Sequence, residues 1–297
     1  MNKKLKRFFI EDQKNLMIVL AMGGLLLFNL VFFVGPLIYS IYGSFLEWNP
    51  IIGVKDFIGL DNYKQIFVSP IFRTSLRNTI IFAAACVFLK TVLGLIIAVF
   101  INAIVKLKNT MRSIYFLPVI MPLIAVSIVW EWIYHPRIGL LNMILAAFGF
   151  VGQNWLTDPS LALPSVIAMT IWKDVGYATI IFLAAIMNVP GDVCEAAEID
   201  GANSRQIFTK ITVPLVKPTV IFIVITSIMS YFQSFIQIMI LTSGGPNNTT
   251  NVISLLIFEE AFTKYRFGYA SALSMVLFVI IMVITFIQFK VAKAGEN

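Results

Sequence analysis

The chain has 297 residues, 59% of them hydrophobic and 12% charged, with a formal net charge of +7. A soluble domain carries about twice that share of charge, so the composition defines an integral membrane protein. The positive balance does not indicate nucleic acid, because the basic residues sit in short clusters beside apolar runs, as the positive-inside bias requires.

A helix that crosses a bilayer needs about 20 largely apolar residues. Six segments meet that requirement, at 16–41, 78–104, 113–134, 161–187, 218–241 and 269–290. They predict an all-α membrane domain over 16–291, preceded by a segment 1–15 and followed by a tail 292–297. The basic start, Lys3 to Arg7, resembles that of a signal peptide. The apolar run after it is too long and lacks a small-residue cleavage site, so it reads as an uncleaved first span.

The connection 42–77 carries Trp48, Pro50, Gly53 and Gly59 and is expected to be a short ordered loop. In the second span Lys90 is a charge inside the membrane, which costs about 2.5–3.5 kcal/mol on insertion scales and needs a cavity or a partner. Either it lines a path and hydrogen-bonds a solute, or it pairs with a carboxylate of this or a neighbouring subunit. Trp130, Glu131 and Trp132 end the third span as an aromatic belt would. His135 and Pro136 follow, and Leu140 to Phe150 is apolar but too short to span, which places it at the outer interface.

Trp172, Lys173, Asp174 and Tyr177 lie in the fourth span, where the adjacent lysine and aspartate are expected to satisfy one another. The fifth holds Tyr231, Gln233, Ser234 and Gln237 beside Phe232 and Phe235. Amides and hydroxyls next to rings suit a weak sugar site; helix–helix hydrogen bonding is the plainer reading. Thr242-Ser-Gly-Gly-Pro246 then ends this span in a turn.

Between the fourth and fifth spans lies a polar loop, 188–217. Pro190-Gly191 breaks the preceding helix, Asp192 can cap a new one, and Glu195 can complete a capping box. Ala196 and Ala197 leave one face bare, and Gly201 can take the left-handed conformation that ends the helix. A second short helix, capped by Asn203 or Ser204 and carrying Ile207, Phe208 and Ile211 on one side, is expected to stop at Val213-Pro214 and Lys217-Pro218. Of the 22 Lys and Arg, 13 fall on the N-terminal side of the membrane and seven opposite, which puts both termini and this loop in the cytoplasm.

No phosphate-binding G-x-x-x-x-G-K-[ST] occurs, so any ATP must be handled by a partner. H-E-x-x-H and G-x-S-x-G are also missing and Cys194 has no histidine near it in sequence, leaving an intramembrane enzyme a remote alternative without catalytic residues to name. Neither Cys86 nor Cys194 has metal-ligand company, and their settings do not suit a disulfide.

Glu195-Ala-Ala-x-x-x-Gly201-x(9)-Ile211-x-Val213-Pro214 resembles the cytoplasmic EAA signature of the inner-membrane subunits of binding-protein-dependent ABC importers, departing at Val213, where leucine is usual. Trp130-Glu-Trp-Ile-Tyr-His-Pro136 with Gly139-Leu-Leu-Asn142, Ile171-Trp-Lys173 with Gly176-Tyr177, Glu198-Ile-Asp-Gly-Ala202, and Leu241-Thr-Ser-Gly-Gly-Pro246 with Thr250 resemble its sugar-importing branch. The last is similar to the type of the first maltose and first glycerol-phosphate permease subunits, without the large external insertion of the enterobacterial maltose subunit.

The resemblance implies a type I ABC importer permease fold in a bacterial inner or plasma membrane. It implies as partners a second, different permease subunit, two copies of a cytoplasmic ABC ATPase that binds ATP and Mg, and an external solute-binding protein. It makes Glu195, Ala196, Ala197, Asp200, Gly201, Ile211 and Pro214 the ATPase-coupling residues. Tyr231, Gln233, Ser234, Gln237, Trp172, Tyr177 and Lys90 become candidates for the substrate path, although Ile236 and Met239 stand where many relatives carry an acidic residue and a tyrosine. The implied cargo is a carbohydrate, an oligosaccharide or glycoside, with glycerol phosphate or a polyol as the alternative.

Overall fold

A computed structural model describes residues 18, 20–103 and 108–294. Segment 1–15 and the last three residues of the tail lie outside the described residues. The chain divides into two units, residues 1–66 with 260–276, and residues 67–259 with 277–297. Five described helices are long and apolar enough to cross a membrane, and a sharply bent pair makes a sixth if counted as one span.

In the first unit, α1 (Leu20–Gly43) is apolar all round, and none of its most hydrophobic window is buried by the rest of the chain. A π turn at Leu30–Val34 comes directly before Pro36. The wider turn accommodates a ring that lacks an N–H and would otherwise clash with the preceding turn. The loop after α1 holds a two-stranded hairpin, β1 (Leu46–Asn49) and β2 (Val54–Phe57), in antiparallel register with Trp48 opposite Lys55. Asn62, at the start of α2 (Asp61–Val68), donates to the Ser44 and Leu46 carbonyls at 3.0 and 2.9 Å and so fixes the hairpin's entry. Glu260 is buried and receives Lys264 at 2.8 Å and Arg266 at 3.2 Å.

In the second unit, α3 (Pro70–Ala103) starts two turns before the expected span. Around that junction the helix holds a neighbouring turn: Ser75 of the extension donates to Asn251 Oδ1 at 3.3 Å, Asn78 donates to the carbonyls of Asn248 and Asn251, both at 2.9 Å, and Thr79 accepts from the Ile253 amide at 3.0 Å. The third expected span is broken. α4 (Lys108–Ile120) and α5 (Leu123–Ile133) meet at 96°, because Pro122 sits at the joint in an extended conformation (φ −58°, ψ 128°) and forces the residue ahead of it out of the helical region.

α6 (Leu140–Ala147) leaves Met143, Ile144, Phe148 and Phe150 exposed, as a segment lying on an apolar boundary would. It is anchored by Asn142, whose amide donates to Pro136 and Gln153 carbonyls and accepts from the Gln153 amide and the Trp155 indole, all at 2.8–2.9 Å.

α7 (Ala162–Met187) is the most buried long helix. Its core partners come from α3 and from α9 (Ser204–Phe232): Ala98 and Ile101 on one side, Val216 and Ile223 on the other, around Ala178, Phe182, Leu183 and Ile186. At Gly176 a Cβ would lie 1.8 Å from the Tyr115 carbonyl oxygen of α4, so the two backbones meet only because this residue has no side chain. Gly176→Ala is therefore expected to destabilise the chain by about 3 kcal/mol, the upper end of overpacking costs. Gly191→Ala, where nothing lies within 4 Å, should be near neutral. Thermal unfolding of the detergent-solubilised variants followed by size-exclusion chromatography checks both.

α8 (Gly191–Ile199) forms the first knob helix. The second does not stop at its prolines: α9 runs 29 residues from Ser204 to Phe232, past Pro214 and Pro218. A π turn at Phe208–Thr212 immediately precedes Pro214 and accommodates it, as the π turn in α1 does for Pro36. The fifth expected span, in turn, ends early. Gln233–Phe235 interrupts it before α10 (Ile236–Thr242), and the Phe232 carbonyl freed by the break accepts from Ser254 at 3.0 Å. α11 (Ile253–Phe258) and α12 (Phe267–Ala294) complete the chain.

Candidate functional site

Two places concentrate chemistry, and one helix joins them. The first is the knob. α8 opens after Pro190 with no side-chain cap, so the expected capping box of Asp192 and Glu195 does not form. Proline holds the entry in an extended conformation, which leaves Asp192 in the first turn, where its charge suits the positive end of the helix dipole. The other end closes as expected. Gly201 has φ +83°, its amide bonds the Glu198 carbonyl at 3.0 Å, and the Ala202 amide bonds that of Ala197 at 2.9 Å. This pair of bonds is the Schellman closure that glycine permits.

Asn203, of the two expected caps, opens α9. Its side chain accepts from the Gln206 amide at 2.9 Å while Gln206 Oε1 accepts from the Asn203 amide at 2.8 Å. Two reciprocally bonded helix ends back to back make the knob rigid. Glu195, Ala196 and Asp200 are exposed, Ala197 is half-buried and Ile199 is 87% exposed. Ile211 is half-buried and Pro214 exposed at the start of the rod.

The second place lies where α3, α7 and α9 meet. Lys90 of α3 is 7% exposed, its Nζ 5.1 Å from the Tyr177 ring centroid and 5.3 Å from that of Tyr231. Tyr231, in the last turn of α9, donates its hydroxyl to Asp174 Oδ2 at 3.2 Å and meets Phe82 edge-on at 6.0 Å. The Lys90 amine lies over two ring faces, and one of those rings carries its hydroxyl to a carboxylate. A carboxylate of the same chain thus lies in the cluster without forming an ion pair with Lys90 among the described residues, and Tyr177 is 38% exposed.

Lys173 and Asp174 do not satisfy one another. Successive residues on a helix point about 100° apart. Lys173 reaches the Val119 carbonyl at 3.1 Å, an acceptor near the end of α4 that the break at Pro122 deprives of its helical partner. Trp172 is 43% exposed and packs edge-on against Trp130 at 5.5 Å.

The remaining path candidates sit at the break in the fifth span. Gln233 is exposed at the end of α9, Ser234 donates back to the Ser230 carbonyl at 3.1 Å, and Gln237 is 2% exposed with its Oε1 accepting no hydrogen bond. Asp174 was the member that residue order concealed, since its partner lies 57 positions away. Among the described residues no three His, Cys, Asp or Glu side chains are grouped to hold a metal ion.

In a multi-pass helical protein, one helix thus joins an exposed knob to a polar cluster inside the bundle. Residues 90–294 match the family described as "Binding-protein-dependent transport system inner membrane component". The chain belongs to that family and is a membrane component of a transport system.

It is 34% identical over 272 residues to the "Probable ABC transporter permease protein YurN" of Bacillus subtilis (strain 168), covering 90% of this chain and 93% of that one. It is 31% identical over 271 residues to the "Multiple sugar-binding transport system permease protein MsmF" of Streptococcus mutans, covering 91% and 93%. With the "Trehalose/maltose transport system permease protein MalF" of Thermococcus litoralis it shares 34% over 264 residues, 89% of each chain. The fold is that of a chain in the crystal structure of a bacterial ABC transporter involved in the import of the acidic polysaccharide alginate, with TM-score 0.86, 22% identity and coverage of 98% and 100%.

Proposed function

We propose that this subunit passes a carbohydrate, an oligosaccharide or glycoside delivered by an external solute-binding protein, by alternating access. It works with a second, different permease subunit and two copies of a cytoplasmic ATPase that bind the ATP and Mg this chain does not. Both termini and the loop 188–217 face the cytoplasm, consistent with the distribution of Lys and Arg. Glu195, Ala196, Ala197, Asp200, Gly201, Ile211 and Pro214 seat the knob on the ATPase, and Lys90, Tyr177, Tyr231, Trp172, Gln233, Ser234 and Gln237 line the path.

The observation that carries this reading is the continuity of α9. A 29-residue helix is about 43 Å long, and it runs from the capping box of Asn203 and Gln206, through the π turn at Phe208–Thr212, to Tyr231. Displacement of the knob therefore moves Tyr231 against Lys90 and Asp174. The names of the relatives from Streptococcus mutans and Thermococcus litoralis support a sugar as cargo.

The reading is tested by ATP-dependent uptake into vesicles holding both permease subunits and the ATPase, with the binding protein outside. Neutral oligosaccharides should enter; entry of glycerol phosphate or polyols alone would establish the alternative. Gln233→Leu with Gln237→Leu is expected to change the rate or choice of sugar several-fold, since a site built to bond a hydroxyl discriminates strongly when its polar groups are removed. Unchanged uptake across a sugar panel would leave these amides as contacts between helices.

A further inference from the structure

The end of α7 next to the knob holds a feature that neither transport nor coupling uses. Between α4 and the last two turns of α7 lies a cavity of about 340 Å³, walled by Ile180, Leu183, Ala184 and Met187 and edged by Arg112 and Asn188. Among the described residues Arg112 reaches no carboxylate; its Nη2 donates to the Met187 sulfur at 2.8 Å. A thioether is a weak acceptor for a guanidinium, whose planar fork matches phosphate oxygens. Asn188 ends α7, and the chain turns at Pro190 into the exposed α8, so the mouth of the cavity lies at the end of this candidate span. Lys106 and Lys108 precede Arg112 by a few positions in sequence.

We propose that this cavity binds an anionic phospholipid. The headgroup phosphodiester takes the Arg112 guanidinium in place of Met187, the Asn188 amide donates to a headgroup oxygen, and the first acyl carbons lie along Ile180, Leu183 and Ala184. A guanidinium and an amide at the mouth of an aliphatic cleft at a membrane edge select a charged headgroup with a chain attached, rather than a free anion or a neutral lipid. The inference rests only on α7 spanning the membrane, not on the identity of the transported solute.

The assembled importer, extracted in mild detergent, is exchanged with phosphatidylglycerol or with phosphatidylcholine of the same acyl chains, and retained lipid is counted by native mass spectrometry. Wild type should retain phosphatidylglycerol in preference, and excess inorganic phosphate should not displace it. Arg112→Gln should lower retention about fivefold, as expected for one basic side chain at a lipid surface. Ala184→Phe keeps the charge but fills the cleft and should lower it as well. Equal retention of the two lipids, displacement by phosphate alone, or full retention by both variants would overturn the proposal. Because bound lipid is read directly, the result is independent of whether a sugar is transported.

Discussion

Replacing Gly201 by tryptophan should remove solute uptake while leaving ATP hydrolysis, and the amount of chain in the membrane, close to wild type. Gly201 holds φ +83°, where an L-residue is strained by about 1–2 kcal/mol. No heavy atom lies within 4 Å of a Cβ built there, so a side chain meets nothing inside the protein. The strain is therefore confined to the joint between α8 and α9, and the bundle that holds the chain in the membrane is not touched. The bulk of tryptophan instead enters open space on the knob that the proposed ATPase seats, two residues from the exposed Ile199. Each ~1.4 kcal/mol lost at such a contact is a tenfold loss of affinity. Gly201→Ala introduces the strain without the bulk and should give an intermediate effect. Hydrolysis and uptake measured side by side in the same vesicles provide the check, and wild-type uptake by the tryptophan variant would remove the knob from the coupling role.

The long apolar segments were legible because a membrane span needs only length and hydropathy to declare itself. Where the helices break was legible only in part. Pro118 and Pro122 lie four residues apart in the third span, and the 96° bend falls at the second of them. The break at Gln233–Phe235 has no glycine or proline to mark it. It depends on Ser254 taking the Phe232 carbonyl and on Phe235 stacking against Phe258 at 5.5 Å, both contacts with a distant part of the chain.

Pro214 shows the opposite case. The local rule stops a helix there, and the π turn at Phe208–Thr212 lets it continue, which joins the second of the two expected short helices to the fifth span as the rod that supports the mechanism. Within the site, Lys90 was conspicuous as a charge in a span, but its setting comes from three helices. The nearest charged neighbours in sequence, Lys173 and Asp174, misled for a geometric reason: adjacency on a helix separates side chains, and each found its partner on a different element.

Neutralising Lys90 and Asp174 singly and together should separate what this cluster does for the fold from what it does for transport. Lys90→Met leaves the Asp174 carboxylate with Tyr231 alone, and Asp174→Asn leaves a buried ammonium with two ring faces. Asp174 is half-buried and no ion pair joins it to Lys90 among the described residues, so each single change leaves one charge in the span without the other's field and should lower the level of the chain in the membrane, by less than the loss of a buried ion pair would. The double variant carries no charge in the cluster, and its level in the membrane should return towards wild type, because no uncompensated charge is left inside the span. Uptake should not recover with it. Tyr231 is the end of the rod that starts at the knob, and its hydroxyl would no longer meet a carboxylate as the helix shifts, so transport is expected to stay at least about tenfold down, a deficit of ~1.4 kcal/mol in the rate-limiting step. Membrane levels measured by quantitative blotting, against initial rates of uptake per copy, decide the point. Recovery of both would make the cluster a purely structural pair, whereas recovery of the protein without recovery of transport places it in the moving part of the path.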